Sequence, residues 1–409
     1  MTDSSRLQPP IPKRFRVPTL VQPQWRWEDL LKTGGGKYVL SDLSEEIKRQ
    51  YGAKHCLLVD RARTGLYLLS RSMKLRGEWL TTSFMHRPTA VLLRNNVSSL
   101  VLADIHDDFT MDLQSAVDLI SGSTEAMLVT HMYGKSANIR SFRHLADQRG
   151  LFLIENAVHM PGGVTVDGRR IGSWGDAALL SFNVDKPLGG ILGGALLTNR
   201  DDVWQAVSSH ALSLPNRWET WGRILSTYAA YRLKPLMMRL PALRRYKEAK
   251  DGVKDVEAFS VDTYRHYTPR TIHALQASVA LMAMHRSAGY RNARSTNAEL
   301  LIDRLRGIND IVLPSSTPDQ PHSYLYFPVI FNRVDRFEAG KRYAEFGIET
   351  KWRYYPLHMQ ADFSECRHGS LATTARCWCH HLLLPIGPSL TDKDVNYIAQ
   401  CTAAIMQAE

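Results

Sequence analysis

Between residues 40 and 200 short apolar runs alternate with stretches of helical periodicity, and this alternation limits the choice of fold more than any other feature. A helix near 42–51 precedes a strand at 55–59 (HCLLV), and a second helix follows over 64–75 (TGLYLLSRSMKL). Further strands are predicted at 79–83, 99–104, 126–133, 151–156, 177–182 and 194–199. Helices near 87–94, 112–120 and 139–149 separate several of them. Strand–helix alternation at this spacing gives an α/β fold, a mostly parallel sheet covered by helices on both faces. In open sheets of this kind the ligand lies outside the carboxyl ends of the strands. Thr64, His86, Asn156 and Lys186 all fall just past such ends.

The flanking segments set the domain plan. Residues 1–35 are proline-rich and aromatic, the pattern of a wrapping arm. The Gly34-Gly35-Gly36 triplet with Lys37 is not a phosphate-binding P-loop, because Tyr38 stands where Ser or Thr must hold the metal. A large domain is expected over 36–275 and a smaller α+β domain over 276–409. The smaller one is entered by a long helix after 270, and its strands at 324–331 and 348–355 flank another helix. Within the large domain, 204–250 departs from the alternation. From Arg217 to Lys250 nine Lys or Arg face two Glu, so much of the chain's net +11 sits in one segment. A basic segment, rather than a uniformly basic nucleic-acid-binding surface, follows. Ile224, Leu225, Tyr228, Tyr231, Leu236 and Leu240 recur at near-helical spacing, which suits an amphipathic insertion packed on its own protein or a second subunit. Docking on an anionic membrane surface or a protein partner is the alternative. Five cysteines without regular spacing do not describe a disulfide framework. With no secretory h-region and no run of about 18 apolar residues, a cytoplasmic location is expected.

The chemistry centres on Lys186, in SFNVDKPLGGILGGALLTN after an apolar stretch and before glycines. A lysine so placed suits a Schiff base with an aldehyde cofactor, and a polar side chain ending a neighbouring strand can meet the cofactor ring. That side chain is Asn156, at the end of LFLIEN. Two other groupings are weaker. Cys377, Cys379, His380 and His381, with Cys366 and His368, do not follow a zinc spacing, so no metal is expected. His358 faces either the substrate or the core, and packing is the preferred reading.

Seven strings, in order, match a known family. They are ARTGLYLL, THMYG (130–134), IENAVH, GRRIGSWGDAALLSFNVDKPLGG, PRTIHALQASVAL, YYPLHMQ and LLLPIGPSLTDKDV. Through them the chain resembles, over most of its length, the fold-type-I, pyridoxal-phosphate-dependent sugar aminotransferases of the DegT/StrS type. The resemblance implies an aminotransferase that moves an amino group, from an amino acid such as glutamate, onto a nucleotide-linked keto sugar. It also implies a homodimer. Lys186 would form the Schiff base and shuttle the proton. Lysine, where the related sugar 3-dehydratases carry histidine, argues against that branch. Ser181 would contact the cofactor phosphate, together with Arg63, Thr64 and Gly65 at a helix N-terminus. His86 would stack on the ring and His159 would meet its phenolic oxygen. Asn156 departs from the family Asp that pairs with the ring nitrogen, and so supports a protonated ring less. It leaves a racemisation, an elimination or a transfer on a natural-product intermediate as alternatives, along with a weakly catalytic cofactor-binding protein. Thr268 replaces, two residues before Arg270, an Asn that reaches the neighbouring subunit's phosphate.

Overall fold

The computed structural model describes residues 25, 26, 28, 29, 38–160, 162–239, 264 and 266–407, without the side chains of 231, 232 and 234–239. Most of the expected 1–35 arm and residues 240–250 of the basic segment lie outside the described residues. The large domain runs α1 (Val39–Tyr51), β1 (His55–Val59), α2 (Ala62–Ser72), β2 (Glu78–Thr82), α3 (Arg87–Arg94), β3 (Ser99–Ala103), α4 (Leu113–Leu119), β4 (Thr124–Thr130), α5 (Ile139–Arg149), β5 (Phe152–Asn156), β6 (Ala177–Ser181) and β7 (Gly194–Thr198). Its strands are buried on both faces, which is why they read as unbroken apolar runs.

The sheet order is β1-β7-β6-β5-β4-β2-β3, with β7 antiparallel to both neighbours and the others parallel. Thr130 pairs in register with Asn156, and Asn156 with Leu179, so three strand ends open onto one edge. Gly194 admits the start of α2 there: a Cβ on it would stand 2.6 Å from the Ala62 amide nitrogen and 2.7 Å from the Leu180 oxygen. A side chain would push the helix N-terminus off the sheet.

Two helices, α6 (Asp201–Ser208) and α7 (Arg217–Arg239), follow the sheet. Helix α7 turns Ile224 and Tyr228 inward onto Trp25 and Val279. It leaves Trp218, Leu225 and Leu233 exposed, beside exposed Leu214. No described helix is long and apolar enough to cross a membrane.

Helix α8 (Ala274–Leu305) joins the two halves. Its first turns place Ala277, Ala280, Leu281 and Met284 in the core under the large sheet, while Ala298, Leu301 and Leu305 enter the core of the small domain. The division between domains therefore falls within one continuous helix. The small domain contains β8 (Ile311–Val312), β9 (Phe327–Phe331), α9 (Arg336–Glu345), β10 (Arg367–His368), α10 (Ala372–His380), β11 (His381–Leu384) and α11 (Asp392–Gln407). Strands β11, β9 and β8 form an antiparallel sheet, but β10 leaves it and pairs with β3, extending the large sheet to eight strands.

One expected strand is absent. Residues 348–355 make a single bridge, Lys351 to Leu383, and β11 takes the place beside β9 instead. The Arg353 carbonyl accepts a hydrogen bond from the Tyr133 hydroxyl and lies 2.9 Å from His381 Nε2. These side-chain partners draw the segment out of the sheet and aim it at the edge where β4, β5 and β6 end.

Candidate active site

A cleft at that edge is lined by residues of both domains. They include Arg61, Arg63, His86, Asn156, His159, Ser181, Asp185, Lys186, Arg353 and Tyr354. Its cavity volume of about 140 Å³ holds roughly five waters, so a small organic group fits. Lys186 sits on the loop after β6, its Nζ 2.8 Å from His159 Nε2 and 3.9 Å from Asp185 Oδ2. His159 Nδ1 accepts the Tyr133 amide N–H at 3.3 Å, and Nε2 lies 2.8 Å from Lys186 Nζ and 3.3 Å from the Tyr354 hydroxyl. Burial, reinforced by the Lys186 charge, holds the His159 pKa far below the usual imidazole range. Both effects favour the neutral ring.

Asn156 ends β5 and donates from Nδ2 to Thr130 Oγ1 at 3.1 Å. Its amide oxygen is left as the acceptor available to the cleft. Ser181 ends β6 and lines the cleft, its hydroxyl accepting the Asn183 amide N–H at 3.4 Å. His86 precedes α3 and is open to the cleft, edge-on to Tyr354 with ring centroids 5.7 Å apart. Arg63 lies in the first turn of α2. Its Nε is buried without a hydrogen-bond partner among the described residues, and its guanidinium sits 5.3 Å from the Tyr264 ring centroid. Desolvation lowers its pKa. A half-buried arginine with no ion-pair partner among the described residues, beside a helix N-terminus, is the arrangement an anion completes.

Not every expected residue faces the cleft. Thr64 is fully buried, its hydroxyl 2.6 Å from Asp60 Oδ1 and 2.5 Å from the Tyr267 hydroxyl, and the lining passes over it. Gly65 packs against Leu179 and Leu196 instead. Both hold α2 against the sheet, so Arg63 alone of the three presents a side chain to the cleft. His358 is tied to Ser83 Oγ at 2.7 Å, outside the lining. Thr268 is exposed, and Arg270 reaches Glu219 at 3.3 Å. Cys377 is buried and Cys379 exposed, and no group of three or more His, Cys, Asp or Glu among the described residues could hold a metal.

The sequence reading passed over Asp185, Arg353 and Tyr354. Asp185 was visible as a carboxylate adjoining Lys186, whereas Arg353 and Tyr354 come from the other domain through long-range packing. It also passed over Glu155, fully buried one residue before Asn156. Glu155 Oε1 accepts the Trp174 and Gly175 amides, and Oε2 accepts the Gly172 amide and His131 Nε2. It fixes the turn that leads into β6.

A cleft at the carboxyl ends of a mostly parallel sheet, built around a lysine after β6, defines this chain as a member of the DegT/DnrJ/EryC1/StrS aminotransferase family, whose model matches residues 29–403. It is similar to the dTDP-3-amino-3,4,6-trideoxy-alpha-D-glucose transaminase of Micromonospora megalomicea subsp. nigra, at 26% identity over 86% of this chain and 85% of that protein. The fold is also that of Helicobacter pylori PseC, an aminotransferase involved in the biosynthesis of pseudoaminic acid (TM-score 0.76, 18% identity, 96% of this chain and 100% of that one). It is shared too by the E. coli GDP-4-keto-6-deoxy-D-mannose-3-dehydratase with bound hydrated PLP (TM-score 0.74, 14% identity, 95% and 99%).

Proposed function

We propose that this protein is a pyridoxal-phosphate-dependent aminotransferase that acts on a nucleotide-linked keto sugar. An amino acid such as glutamate would be the donor, and the enzyme would work as a cytoplasmic homodimer. One observation carries the reading: the Lys186 amine and the half-buried Arg63, whose Nε has no hydrogen-bond partner among the described residues, share one cleft. The cofactor fits the donors present. Arg63, the first turn of α2 and Ser181 would hold its phosphate, Asn156 Oδ1 would face the ring nitrogen, and His159 Nε2 the phenolic oxygen. When bound, pyridoxal phosphate supplies an aldehyde and an electron-withdrawing ring. Lys186 Nζ takes the proton from the amino-bearing carbon of the donor and delivers one to the acceptor carbon. His86 and Tyr354, in edge contact, narrow the cleft. The relatives' dTDP-sugar names support the acceptor class. The exposed apolar side of α7, with Leu214, supports a second subunit packing there.

With pyridoxal phosphate, glutamate and a dTDP-linked keto sugar, the purified protein is expected to yield 2-oxoglutarate and the amino sugar by mass spectrometry. If neither product forms across several such sugars, the acceptor class is wrong. Asn156 sets the second expectation. A neutral amide accepts from a ring N–H without the charge-assisted part of that bond. Asn156→Asp is therefore expected to raise turnover about tenfold to a hundredfold. Wild-type protein that transaminates nothing while Asn156→Asp gains the activity would point to a different native reaction.

A further inference from the structure

The charged groups lining the cleft are unbalanced. Arg61, Arg63, Lys186 and Arg353 face it, against one carboxylate, Asp185. A phosphate group at Arg63 leaves the other end of the cleft still cationic. There Asp185 Oδ1 accepts from Asn183 Nδ2 at 2.8 Å, which fixes the carboxylate plane, and Oδ2 accepts from Arg353 Nη1 at 2.8 Å. The Lys186 and Arg353 charges outweigh burial and hold the Asp185 carboxyl below its usual range. Arg353 itself is set in place at its backbone carbonyl by Tyr133 and His381, one from each domain. Among the described residues, Asp185 is the one acceptor of an Arg353 guanidinium hydrogen bond. A guanidinium has five N–H donors, so this one lines the cleft oriented but with most of its capacity unused.

We infer that Arg353 receives the carboxylate of the amino donor, and that Asp185 holds the guanidinium in position for it. The inference rests on the aminotransferase reading and names the donor's subsite within it. Spacing selects the ligand class. Asp185 Oδ2 lies 2.8 Å from Arg353 Nη1 and 3.9 Å from Lys186 Nζ, so the two cations border one point. An α-amino acid carries its amine and its carboxylate two bonds apart. It can present nitrogen where Lys186 stands while its carboxylate reaches Arg353. The diphosphate of a nucleotide sugar lies beyond the hexose ring from a reacting C3 or C4, too far from that point. The planar fork of arginine suits a carboxylate, and a lysine there would lose the paired geometry.

Glutarate, an unreactive dicarboxylate, titrated calorimetrically into the cofactor-loaded protein is the probe. Arg353→Gln is expected to weaken its binding about tenfold to a hundredfold. The same variant should raise KM for glutamate while KM for the sugar acceptor stays within about twofold, and Arg353→Lys should recover only part of the loss. Asp185→Asn removes the charge-assisted hydrogen bond that orients the guanidinium and is expected to weaken glutarate severalfold. Equal glutarate affinity in wild type and Arg353→Gln overturns the inference. An acceptor KM that rises while the glutamate KM is unchanged also overturns it, because sugar phosphate would then sit at Arg353. Should Arg353→Gln fail to fold, Arg353→Lys decides: weaker glutarate supports the subsite, and unchanged affinity rejects it. The calorimetry needs no turnover. A protein that binds glutarate through Arg353 yet transaminates no sugar would sink the functional reading alone.

Discussion

Lys186→Ala is expected to abolish the visible-region absorbance that wild-type protein acquires on incubation with pyridoxal phosphate, and to lower turnover by about 10⁴-fold. The size of the effect follows from two losses at one atom. The nitrogen that engages the aldehyde disappears, and so does the base that moves the proton. The neighbours cannot substitute. His159 Nδ1 is committed to the Tyr133 amide and burial favours its neutral ring, while Asp185 is tied to Arg353. Fold should survive, because Lys186 Nζ makes one hydrogen bond, to His159. Circular dichroism matching wild type would confirm that. Identical absorbance in wild type and Lys186→Ala would remove the cofactor assignment altogether.

Glu155→Ala is expected to cost about 3–5 kcal/mol of folding stability, read from denaturant unfolding. Its two oxygens accept three backbone amides and the His131 ring, all in the interior. Truncation leaves those donors buried without an acceptor, the costliest way to lose a hydrogen bond. Gly172 adds to the demand: at φ +94° its conformation is one that other residues rarely adopt, so the turn has little freedom to find new partners. Glu155→Gln keeps the volume and one accepting oxygen, and is expected to lose about half as much. A loss under about 1 kcal/mol for Glu155→Ala would mean that water replaces the carboxylate.

The large domain was legible because its physics is local. A strand buried on both faces must be apolar throughout, so β1, β5, β6 and β7 begin and end within about a residue of where the apolar runs do. Strand ends in turn located Lys186, Asn156 and Ser181 at one edge. What stayed hidden depends on contacts distant in sequence. Residues 348–355 have the bulky, aromatic composition of a strand, yet Tyr133 and His381 hold the segment outside the sheet. Thr64 was plausible as a ligand from its place at a helix start, but Tyr267, 203 residues away, takes its hydroxyl. Arg353 shows both effects: its residue type was visible, and its pairing with Asp185, 168 residues away, was not.

Helix α8 and strand β10 bear on how the molecule comes apart. One supplies side chains to both cores, and the other returns the small domain's chain to the edge of the large sheet. Neither half can lose its packing without stripping an element from the other. Two-domain chains often melt in separate steps, but here scanning calorimetry should record a single endotherm. The cleft, formed where the halves meet, should vanish in that same transition.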